Sequence, residues 1–443
     1  MARICRWRDL ERWLPDGATS WEVSCAQLPL GDLLKRRLET VDAEGFASYT
    51  PITIHFDGSV VPRDRREAFK GAMFAAYPGD LVYSKIDVRN GAIGLVPDSM
   101  GKAVVTAEYP IHTPDAKQVE PKYLALLLRS PNFKALLKSA ASGTSGRKRV
   151  NAESFEELEI PLPELSEQRA LVRAYERALT RAGELEQEAA GIEEGGNREF
   201  EAALGLVPPP DLPRRPVQIA WFSDMERWSH EGALQAQLGG GNGVGSRFDS
   251  VLLEDVAKVS YGLQKCPRNR PDKHARPYLR VANVQRGYLD LREVKTINVP
   301  DGEMPKYALV DGDVLLCEGN SSDLVGRGAI WRGQIADCVH QNHVLRVRVA
   351  DKGRVLPEFV LEYINSRQGQ AYFRSKAKRT TNLSSINSKE VASMPMPLPS
   401  TAKEQESVLT ALHRERERAA GKRKQAAKLR EAARADFLVA IFR

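Results

Sequence analysis

The sequence predicts a mixed α/β fold in which two globular domains form a tandem repeat, separated and followed by long helices that form a coiled coil. Three observations lead to this prediction: an internal repeat, short strand-like segments in both halves, and two long helical seams. The chain has 443 residues, of which 42% are hydrophobic. That length is sufficient for at least two separate hydrophobic cores.

The internal repeat relates the two halves of the chain over most of their length. Five matches share a constant offset of 236 residues: Pro121 with Pro357, Ser130 with Ser366, Thr144 with Thr380, Val150-Asn151 with Ile386-Asn387, and Pro161-Leu162-Pro163 with Pro397-Leu398-Pro399. Downstream, the offset becomes 237 residues, which relates Glu167-Gln168 to Glu404-Gln405 and Glu199-Phe200 to Asp436-Phe437. Upstream, the offset is smaller. It is 233 residues between Gly79-Asp80 and Gly312-Asp313, 229 between Tyr49 and Tyr278 and between Gly58 and Gly287, and 215 between Arg12-Trp13 and Arg227-Trp228. A repeat in this order predicts the arrangement domain, helix, domain, helix.

Both halves contain the sequence signals of short strands and helices. Apolar or alternating runs predict strands at residues 80–84, 92–96, 313–317 and 344–349. Turn sequences at residues 77–80 and 310–313 precede two of these strands. Residues 122–137 and 358–373 predict one helix in each half, and the proline-rich segments 160–163 and 394–399 predict a closing strand.

Two long helices with matched seams follow the globular halves. The first is predicted to begin with Ser166 as its N-cap, and its apolar or small seam residues are Tyr175, Ala178, Ala182, Leu185, Ala189 and Ile192. The second begins with the capping-box pattern of residues 401–404, and its seam is Val408, Leu412, Glu415, Ala419, Lys422, Ala426, Leu429, Ala433, Phe437 and Ala440. A period of about 3.5 residues sustained over this length predicts a coiled coil. The alternative is two independent amphipathic helices, each lying on its own domain.

Changes in composition predict the domain boundaries. Residues 1–165 form the first globular domain, 166–204 the central helix, 205–402 a linker with the second globular domain, and 403–443 the C-terminal helix. The linker contains the proline-rich segment 208–213 and the glycine-rich segment 239–245. The two helices carry net charges of −4 and +5, which favours their pairing, and the second globular part carries +6 of the overall +7. Such an excess permits a nucleic-acid partner without requiring one.

Several classes of protein are disfavoured. No apolar run approaches the roughly 18–20 residues of a membrane span, and the opening segment lacks the apolar stretch of a secretion signal. The scattered cysteines Cys5, Cys25, Cys266, Cys317 and Cys338 form no CxxC pair, so we expect a reducing cytoplasm and neither a disulfide framework nor a structural zinc site. Phosphate-loop, GxSxG, HExxH and methyltransferase motifs are not found, so no catalytic residues are assigned. We interpret the Cys- and His-containing segment 337–343 as the polar edge of a strand and assign no metal site.

Basic loops that also carry hydroxyl groups occur at the same repeat position in both halves, which suggests a shared task in DNA binding. The candidates are Thr144, Ser145, Arg147, Lys148 and Arg149 in the first half, and Lys376, Lys378, Arg379, Thr380 and Asn382 in the second. Further candidates follow matched strands: Lys85, Arg89 and Asn90, and Asn320, Ser321 and Arg327. Arg and Lys hold phosphates, while Arg and Asn also contact guanine and adenine edges. The basic stretch 265–276 is interpreted equally as a DNA-facing loop or as an ordinary surface loop.

The segments that follow the two halves resemble a known family. Residues 160–169 (IPLPELSEQR) and 395–405 (PMPLPSTAKEQ) are similar to junctions in the specificity (S) subunit of type I restriction-modification systems. Residues 226–228 (ERW) and 278–284 (YLRVANV) are also similar, and the latter segment contains the candidate DNA contacts Arg280 and Asn283. The first half departs from the family pattern, because YTPITIH at 49–55 replaces the usual Tyr-Ile/Leu-Arg.

This resemblance implies a division of labour. Each globular half would be a target recognition domain that reads one half of a bipartite, asymmetric DNA site, and the helices would pair antiparallel and set the gap between the half-sites. The chain would be non-catalytic and would bind no cofactor itself. S-adenosylmethionine, ATP and Mg would act on partner subunits, namely two DNA methyltransferase (M) subunits and, where present, restriction/translocase (R) subunits.

Two other functional classes remain open at this point. A stand-alone DNA-modifying enzyme with degenerate motifs would modify DNA when purified alone. An architectural DNA-binding scaffold would bind DNA but recruit no modification machinery, and its gene would lack neighbouring genes for methylation and restriction subunits.

Overall fold

The computed structural model describes residue 23, residues 25–63, 71–139, 149–207, 219, 221 and 223, 246–379 and 383–442, and at 139, 268 and 379 it describes the backbone alone. The chain divides into two compact units. Unit 1 comprises Met1–Glu186 with Arg423–Arg443, and unit 2 comprises Gln187–Lys422. The repeat matches at 12–13 and 227–228 and the linker segments 208–213 and 239–245 lie outside the described residues. None of the described helices combines the length and apolar character needed to cross a bilayer.

The elements of unit 1 form three small sheets covered by helices. Its strands are β1 Ala26–Pro29, β2 Leu34–Arg37, β3 Thr40–Val41, β4 Thr50–Ile54, β5 Val60–Pro62, β6 Met73–Ala76, β7 Leu81–Tyr83, β8 Ile93–Leu95, β9 Ala103–Thr106, β10 Ile111–Pro114 and β11 Glu159–Leu162. Its helices are α1 Leu30–Leu33, α2 Pro121–Leu128, α3 Pro131–Ser139, α4 Ala152–Glu156 and the first part of α5 Leu165–Ala203. The sheets have the orders β2-β10-β7-β8, β3-β6-β9-β4-β5 and β1-β11, and all neighbours are antiparallel except β4 and β9.

Unit 2 repeats this plan. Its strands are β12 Ser250–Leu252, β13 Ala257–Ser260, β14 Ala275–Leu279, β15 Lys295–Asn298, β16 Val314–Cys317, β17 Gly319–Asn320, β18 Gly328–Ile330, β19 Val339–His340, β20 Val344–Val349, β21 Lys378–Arg379, β22 Ser384–Ser385 and β23 Pro395–Pro397. Its helices are α6 Leu253–Val256, α7 Met304–Tyr307, α8 Pro357–Asn365, α9 Arg367–Lys376, α10 Ser388–Ala392 and the start of α11 Ala402–Ile441. The antiparallel sheet β13-β20-β16-β18 corresponds to β2-β10-β7-β8, and β12-β23 corresponds to β1-β11.

The predicted strands are confirmed as β7, β8, β16 and β20. The predicted turns before β7 and β16 are also present, because Gly79 and Gly312 adopt φ angles of +84° and +88°. In the first of these turns the backbone N–H of Asp80 donates to the carbonyl of Tyr77. A residue other than glycine would be strained at such φ angles. This explains the glycine in the Pro-Gly sequence of the first turn and in the Asp-Gly sequence of the second.

The prediction of one helix at 122–137 and one at 358–373 is wrong, because each region forms two helices. In unit 1 the break falls at Ser130, whose hydroxyl accepts from the backbone of Phe133 at 3.2 Å as α3 begins with Pro131. In unit 2 Ser366 is the N-cap of α9 and accepts from Gly369 at 3.2 Å. The repeated serine is therefore a helix-starting residue, which periodicity of apolar positions alone does not reveal.

A buried glutamine fastens the start of each long helix to its unit. Gln168 is fully buried; its amide nitrogen donates to the carbonyls of Pro163 at 2.8 Å and Gln118 at 3.2 Å, and its carbonyl accepts from the backbone of Glu120 at 2.8 Å. Gln405, also fully buried, repeats this arrangement with Pro399, Arg354 and Leu356. The duplicated Glu-Gln motif is thus a structural connector between the globular part and the helix.

A buried aspartate occupies the same place in both four-stranded sheets. Asp80 accepts from Arg37 Nε at 2.7 Å, and Asp313 accepts from Arg348 Nε at 2.6 Å. Arg37 lies on β2, whereas Arg348 lies on β20, so the partner comes from different strands in the two units. Both carboxylates are at most 1% exposed, and a buried carboxylate needs such a partner to offset its desolvation.

Helices α5 and α11 pair antiparallel within each unit, and the prediction of a coiled coil is confirmed. In unit 1, Ala182 and Leu185 pack with Ala426 in a small buried cluster, and the Tyr175 and Phe437 rings lie 6.2 Å apart. In unit 2, a Cβ atom at Gly196 would come within 2.9 Å of the Glu415 side chain, so the two helices approach closely there. Small seam residues permit this approach.

The helix ends differ from the prediction by small amounts. Helix α5 begins at Leu165, so Ser166 lies within the first turn and is not the N-cap. The capping box of α11 is confirmed, since Thr401 Oγ1 accepts from the backbone of Glu404 at 3.3 Å and Glu404 accepts in return. At the end of the seam Ala440 is exposed, and Ile441 is buried in its place.

Candidate nucleic-acid interface

In unit 1 the structure brings Lys85 and Arg149 together although they are 64 residues apart in sequence. The backbone of Val150 donates to the carbonyl of Lys85 at 2.9 Å, and the backbone of Lys85 donates to the carbonyl of Glu108 at 3.0 Å. Arg149 forms an ion pair with Glu108 at 3.3 Å, and its side chain remains 54% exposed. The two predicted loops therefore meet at one edge of the four-stranded sheet.

Arg89 and Asn90 lie on a short 3-10 turn, Val88–Asn90, that follows β7. Arg89 Nε donates to the carbonyl of Ile86 at 3.2 Å, and the exposed Asn90 amide lies 3.4 Å from the Asp87 carboxylate. Gly91, with φ of +109°, ends the turn. The Asn90 amide keeps most of its hydrogen-bonding capacity for another molecule, because its one contact is long.

Unit 2 uses a small sheet to assemble the equivalent loops. Strand β22 lies between β17 and β21, so Ser384 pairs with Asn320 on one side and with Arg379 on the other. Lys378 is exposed on β21, and Ser321 is exposed directly after β17. Lys376, in the last turn of α9, precedes this strand and is half-buried. The sequence predicted both loops but not the strand pairing that joins them.

The same hydrogen bond joins the two loops in both units. In unit 1 it runs from the backbone of Val150 to the carbonyl of Lys85, and in unit 2 from Ile386 to Glu318, each at 2.9 Å. Directly after it, Asn151 and Asn387 act as N-caps of α4 and α10. This duplicated backbone framework carries different side chains, which is the arrangement expected of a scaffold whose loops differ in what they contact.

Three of the predicted contacts have structural roles. Asn283 is 2% exposed, and its amide nitrogen donates to the carbonyls of Asp290 and Glu293 while its oxygen accepts from the backbone of Arg280. Arg280 itself forms an ion pair with Glu293 at 3.4 Å. Arg327 is 8% exposed and approaches the carbonyl of Val281 at 3.4 Å. A sequence pattern cannot reveal that the Asn283 amide is already bonded or that Arg327 is buried.

The remaining predicted contacts, Thr144, Ser145, Arg147, Lys148, Thr380 and Asn382, lie outside the described residues. In the stretch 265–276, the structure describes all side chains except that of residue 268. Its Arg276 forms ion pairs with Asp301 at 2.6 Å and with Asp337 at 2.7 Å, so this arginine fixes a loop within the unit.

The Cys- and His-containing segment 337–343 includes strand β19, Val339–His340. Cys338 and His340 are buried, and His340 Nδ1 donates to the carbonyl of Val344 at 2.7 Å. His343 Nδ1 lies 2.6 Å from the Glu318 carboxylate. Among the described residues, no group of three or more potential metal ligands comes together. Burial lowers the pKa of His340 to about 4, so its ring is neutral at physiological pH.

Sequence reasoning missed a second set of cations in unit 1. Lys134 and Lys138 lie one turn apart on α3, Arg129 ends α2, and Arg434 lies on α11. The i,i+4 spacing of the two lysines is visible in the sequence, but nothing local indicates that residues 129 and 434 join them.

The comparison with protein families decides which group of proteins this scaffold resembles. The profile of the type I restriction modification DNA specificity domain matches residues 74–188, which lie almost entirely in unit 1. Over this segment the chain is similar to type I specificity subunits. This agrees with the resemblance found at the two Pro-Leu-Pro and Glu-Gln junctions.

Curated type I specificity subunits are similar over parts of the chain. The EcoKI specificity subunit of Escherichia coli strain K12 is 22% identical over 288 residues, which are 65% of this chain and 56% of that subunit. The EcoAI specificity subunit of Escherichia coli is 28% identical over 202 residues, 44% of this chain and 33% of that subunit. The chain therefore matches between about a third and just over half of the length of these specificity subunits.

One solved chain has a similar fold over nearly the full length. It belongs to a structure described as the basis of complex assembly and conformational transition of the type I R-M system. The TM-score is 0.54 at 16% identity, with 96% of this chain and 99% of that chain covered. At this level of identity the likeness concerns the fold alone, and it covers both units.

Proposed function

We propose that the chain is the sequence-specific DNA-binding subunit of a cytoplasmic type I restriction-modification complex, in which each unit reads one half of a bipartite, asymmetric site. The observation that carries this proposal is the duplicated loop framework, with Val150 bonded to Lys85 in one unit and Ile386 bonded to Glu318 in the other. A repeated scaffold with differing polar loops suits two half-sites of different sequence.

The side chains proposed to contact DNA are predicted ones from the loops of both units. Those that the structure describes are exposed or half-buried: Lys85, Arg89, Asn90 and Arg149 in unit 1, and Asn320, Ser321, Lys376 and Lys378 in unit 2. The proposal also includes side chains outside the described part of the chain, namely Thr144, Ser145, Arg147, Lys148, Arg379, Thr380 and Asn382. Asn283 and Arg327 are left out because they are buried, and Arg280 is left out because it pairs with Glu293. The lysines and arginines supply phosphate contacts, and Asn90 and Asn320 supply donor-acceptor pairs for base edges.

The partners belong to the same proposal. Methyltransferase (M) subunits would supply S-adenosylmethionine-dependent methylation, and restriction/translocase (R) subunits would supply ATP- and Mg-dependent cleavage. The chain itself would contribute no catalytic group. A target base has to leave the DNA stack before it can be methylated, so flipping is expected to take place on the methyltransferase subunits.

Replacement of one unit's globular part tests this proposal. Residues 1–160 are exchanged for the corresponding domain of a related protein, and methylated bases are mapped in a host that carries the rest of the system. We expect one half of the methylated motif to change while the other half is retained. Methylation by the purified chain alone would identify a stand-alone enzyme, DNA binding without any methylated motif would identify an architectural scaffold, and a change in both half-sites would contradict separate readout.

A further inference from the structure

Two cations of unit 1, Arg129 and Lys134, lie beside the turn 55–59, outside the loops predicted from sequence, and the charges of Lys138 and Arg434 act on Lys134. Arg129 donates a guanidinium N–H to the carbonyl of Asp57, and a Cβ atom at Gly58 would collide with its Nη1. Lys134 reaches the same place from α3, since its Nζ would lie 2.8 Å from a Cβ atom at Gly91. Both glycines adopt positive φ angles, so the backbone folds tightly against the two cationic side chains.

The positive charge of this cluster is largely uncompensated. Burial lowers the pKa of Lys134, and the positive charges of Arg434, Arg129 and Lys138 lower it further. Within the part of the chain that the structure describes, Lys134, Lys138 and Arg434 form no ion pair with a carboxylate. The nearby Asp57 carboxylate accepts hydrogen bonds from Ser59 and offsets part of the charge of Arg129, so the uncompensated charge is that of the other three cations. Cations that repel one another in this way destabilise the unit by themselves and attract an anion.

Unit 2 carries a cation cluster at the corresponding place. Gly287, the repeat partner of Gly58, follows Arg286, and Arg374 on α9 is the repeat partner of Lys138. Arg286 donates to the carbonyl of Asp323 at 2.9 Å and to the side chain of Gln370 at 3.0 Å. Partial desolvation lowers the pKa of Arg286, and the charges of Arg374 and Arg327 lower it further, while the single carboxylate of Asp323 acts in the opposite direction on Arg286 and Arg374.

The two clusters are built mostly from different residues. Gln370 stands at the position of Lys134, and Asn365 stands at that of Arg129. Only the position shared by Lys138 and Arg374 is basic in both units. An accumulation of positive charge that recurs at one place in the fold through different side chains is better explained by a common ligand than by chance.

We propose that the turn and second short helix of each unit form an additional anchor for the phosphodiester backbone of duplex DNA, made by Arg129, Lys134, Lys138 and Arg434 in unit 1 and by Arg286 and Arg374 in unit 2. This inference rests on the proposed function. The choice of DNA follows from position: Lys134 adjoins the turn that carries Arg89 and Asn90, and Arg286 bonds to Asp323 in the loop after Ser321. Contacts to phosphate strengthen binding without reading sequence.

The test compares charge-neutralised variants of the full chain, isolated together with the subunits that co-purify with it. The unit 1 variant carries Lys134→Gln, Lys138→Gln and Arg434→Gln, and the unit 2 variant carries Arg286→Gln and Arg374→Gln. The control variant carries Lys35→Gln, Lys117→Gln and Lys428→Gln, which remove the same charge from exposed lysines of unit 1. Binding to a duplex that contains the methylated motif is measured from low to moderate salt.

We expect the slope of log affinity against log salt to fall by about 0.9 for each phosphate that the variant no longer neutralises, which is about 2–3 for the unit 1 variant and about 2 for the unit 2 variant. The methylated motif should stay the same, and the control should keep the wild-type slope. Wild-type binding with equal slopes in variant and control would overturn the anchor while leaving the proposed function standing. Loss of co-purifying subunits with an unchanged slope would also overturn it, in favour of an acidic protein partner.

Two further outcomes keep the test decisive. If the wild-type complex binds no duplex, the proposed function fails, and the anchor fails with it. If the triple variant does not fold, the double variant Lys138→Gln and Arg434→Gln is used, because both side chains are exposed and their replacement removes repulsion without opening a cavity. A slope equal to that of the control in this double variant would overturn the anchor.

Discussion

Glu201, a buried residue near the end of α5, forms an ion pair with the partly exposed Arg367 at the first position of α9. Glu201 is 4% exposed, and it accepts from the backbone of Arg367 at 3.0 Å and from its guanidinium at 2.8 and 2.5 Å. The long helix is thus fixed to unit 2 by three hydrogen bonds at the helix N-terminus where Ser366 is the cap. Such a carboxylate also interacts favourably with the N-terminal end of the helix dipole.

Glu201→Ala should destabilise unit 2 by about 2 kcal/mol, because three hydrogen bonds to a buried carboxylate are lost, while Arg367 remains partly exposed to water and close to Glu194. Chemical denaturation followed by circular dichroism measures the change in unfolding free energy. Glu199→Ala is the matched control, since Glu199 lies on the same helix two residues earlier and is exposed. Equal unfolding free energies for the two variants would show that the ion pair contributes nothing to the fold.

Gln168→Leu and Gln405→Leu should each destabilise their own unit by about 3 kcal/mol or more. Leucine has a similar size, but it leaves two backbone carbonyls and one backbone N–H without a partner, and each unsatisfied buried group costs about 1–3 kcal/mol. Denaturation monitored by hydrogen exchange resolves the two units. Glu167→Leu, one residue before Gln168 and exposed, is the control. Exchange protection of the Glu120 N–H at the wild-type level in Gln168→Leu would refute the connector role.

His340 should make unit 2 less stable as the pH falls. Its native pKa of about 4 lies below the value of about 6.5 in an unfolded chain, so only the unfolded state takes up the proton between these values. The stability present above pH 6.5 is therefore lost as the pH falls toward 4, by an amount on the order of 3 kcal/mol. The checking measurement is the unfolding free energy of wild type and His340→Asn at several pH values.

The asparagine can still donate to the Val344 carbonyl, as His340 Nδ1 does. We expect His340→Asn to show a weaker dependence between pH 4 and 6.5, whereas His55→Asn, at an exposed position, should keep the wild-type dependence. If both variants follow the wild-type curve, the buried ring is not the source of the acid sensitivity.

The charges along the paired helices should contribute in a salt-dependent way. Glu186 pairs with Arg430 in unit 1, and Glu188 pairs with Lys422 in unit 2 at 2.6 Å. Glu186→Lys with Glu188→Lys should lower the Tm, more at low salt than at high salt, because screening weakens exposed ion pairs and their repulsive replacements alike. Glu184→Lys is the control, since Glu184 pairs with Arg181 on its own helix. A decrease in Tm that does not change with salt would contradict an electrostatic origin.

The length of the helices should set the gap between the half-sites under the proposed function. Four residues are inserted after Ala182 in α5, and four after Leu429, which packs against the same cluster from α11. The insertions add about 6 Å of helix, and B-DNA advances about 3.4 Å per base pair. Mapping of methylated bases should show the same half-sites with a gap longer by one or two base pairs.

A control for the insertion carries four added residues after Gly101 instead, at an exposed loop position where the chain length changes but neither helix does. An active helix variant with an unaltered gap would show that another feature sets the spacing. A gap that changes equally in the loop variant would show that added chain length alone perturbs the site.

The candidate DNA-binding site was predicted in part. The paired loops around Lys85 and Arg149, and around Asn320 and Lys378, were identified because the repeat placed basic residues at matching positions. Asn283 was selected because it lies in the segment 278–284 that resembles the specificity-subunit family, yet its amide is buried and fully bonded. Whether a polar side chain is accessible depends on its contacts in the folded chain. The Asn283 amide, for example, donates to the carbonyl of Glu293, which is 10 residues away, and a short motif does not encode such a contact.

The sequence by itself determined the repeat, the strands β7, β8, β16 and β20, and the two long helices with their seams, because these features depend on local spacing of apolar and turn-forming residues. Only the tertiary structure decided which unit the C-terminal part of each long helix packs into. Phe200 of α5 lies in the core of unit 2, while Phe437 of α11 lies in the core of unit 1. It also decided that Arg434 joins Lys134. Burial and charge clustering arise from contacts between residues hundreds of positions apart, and no local period records them.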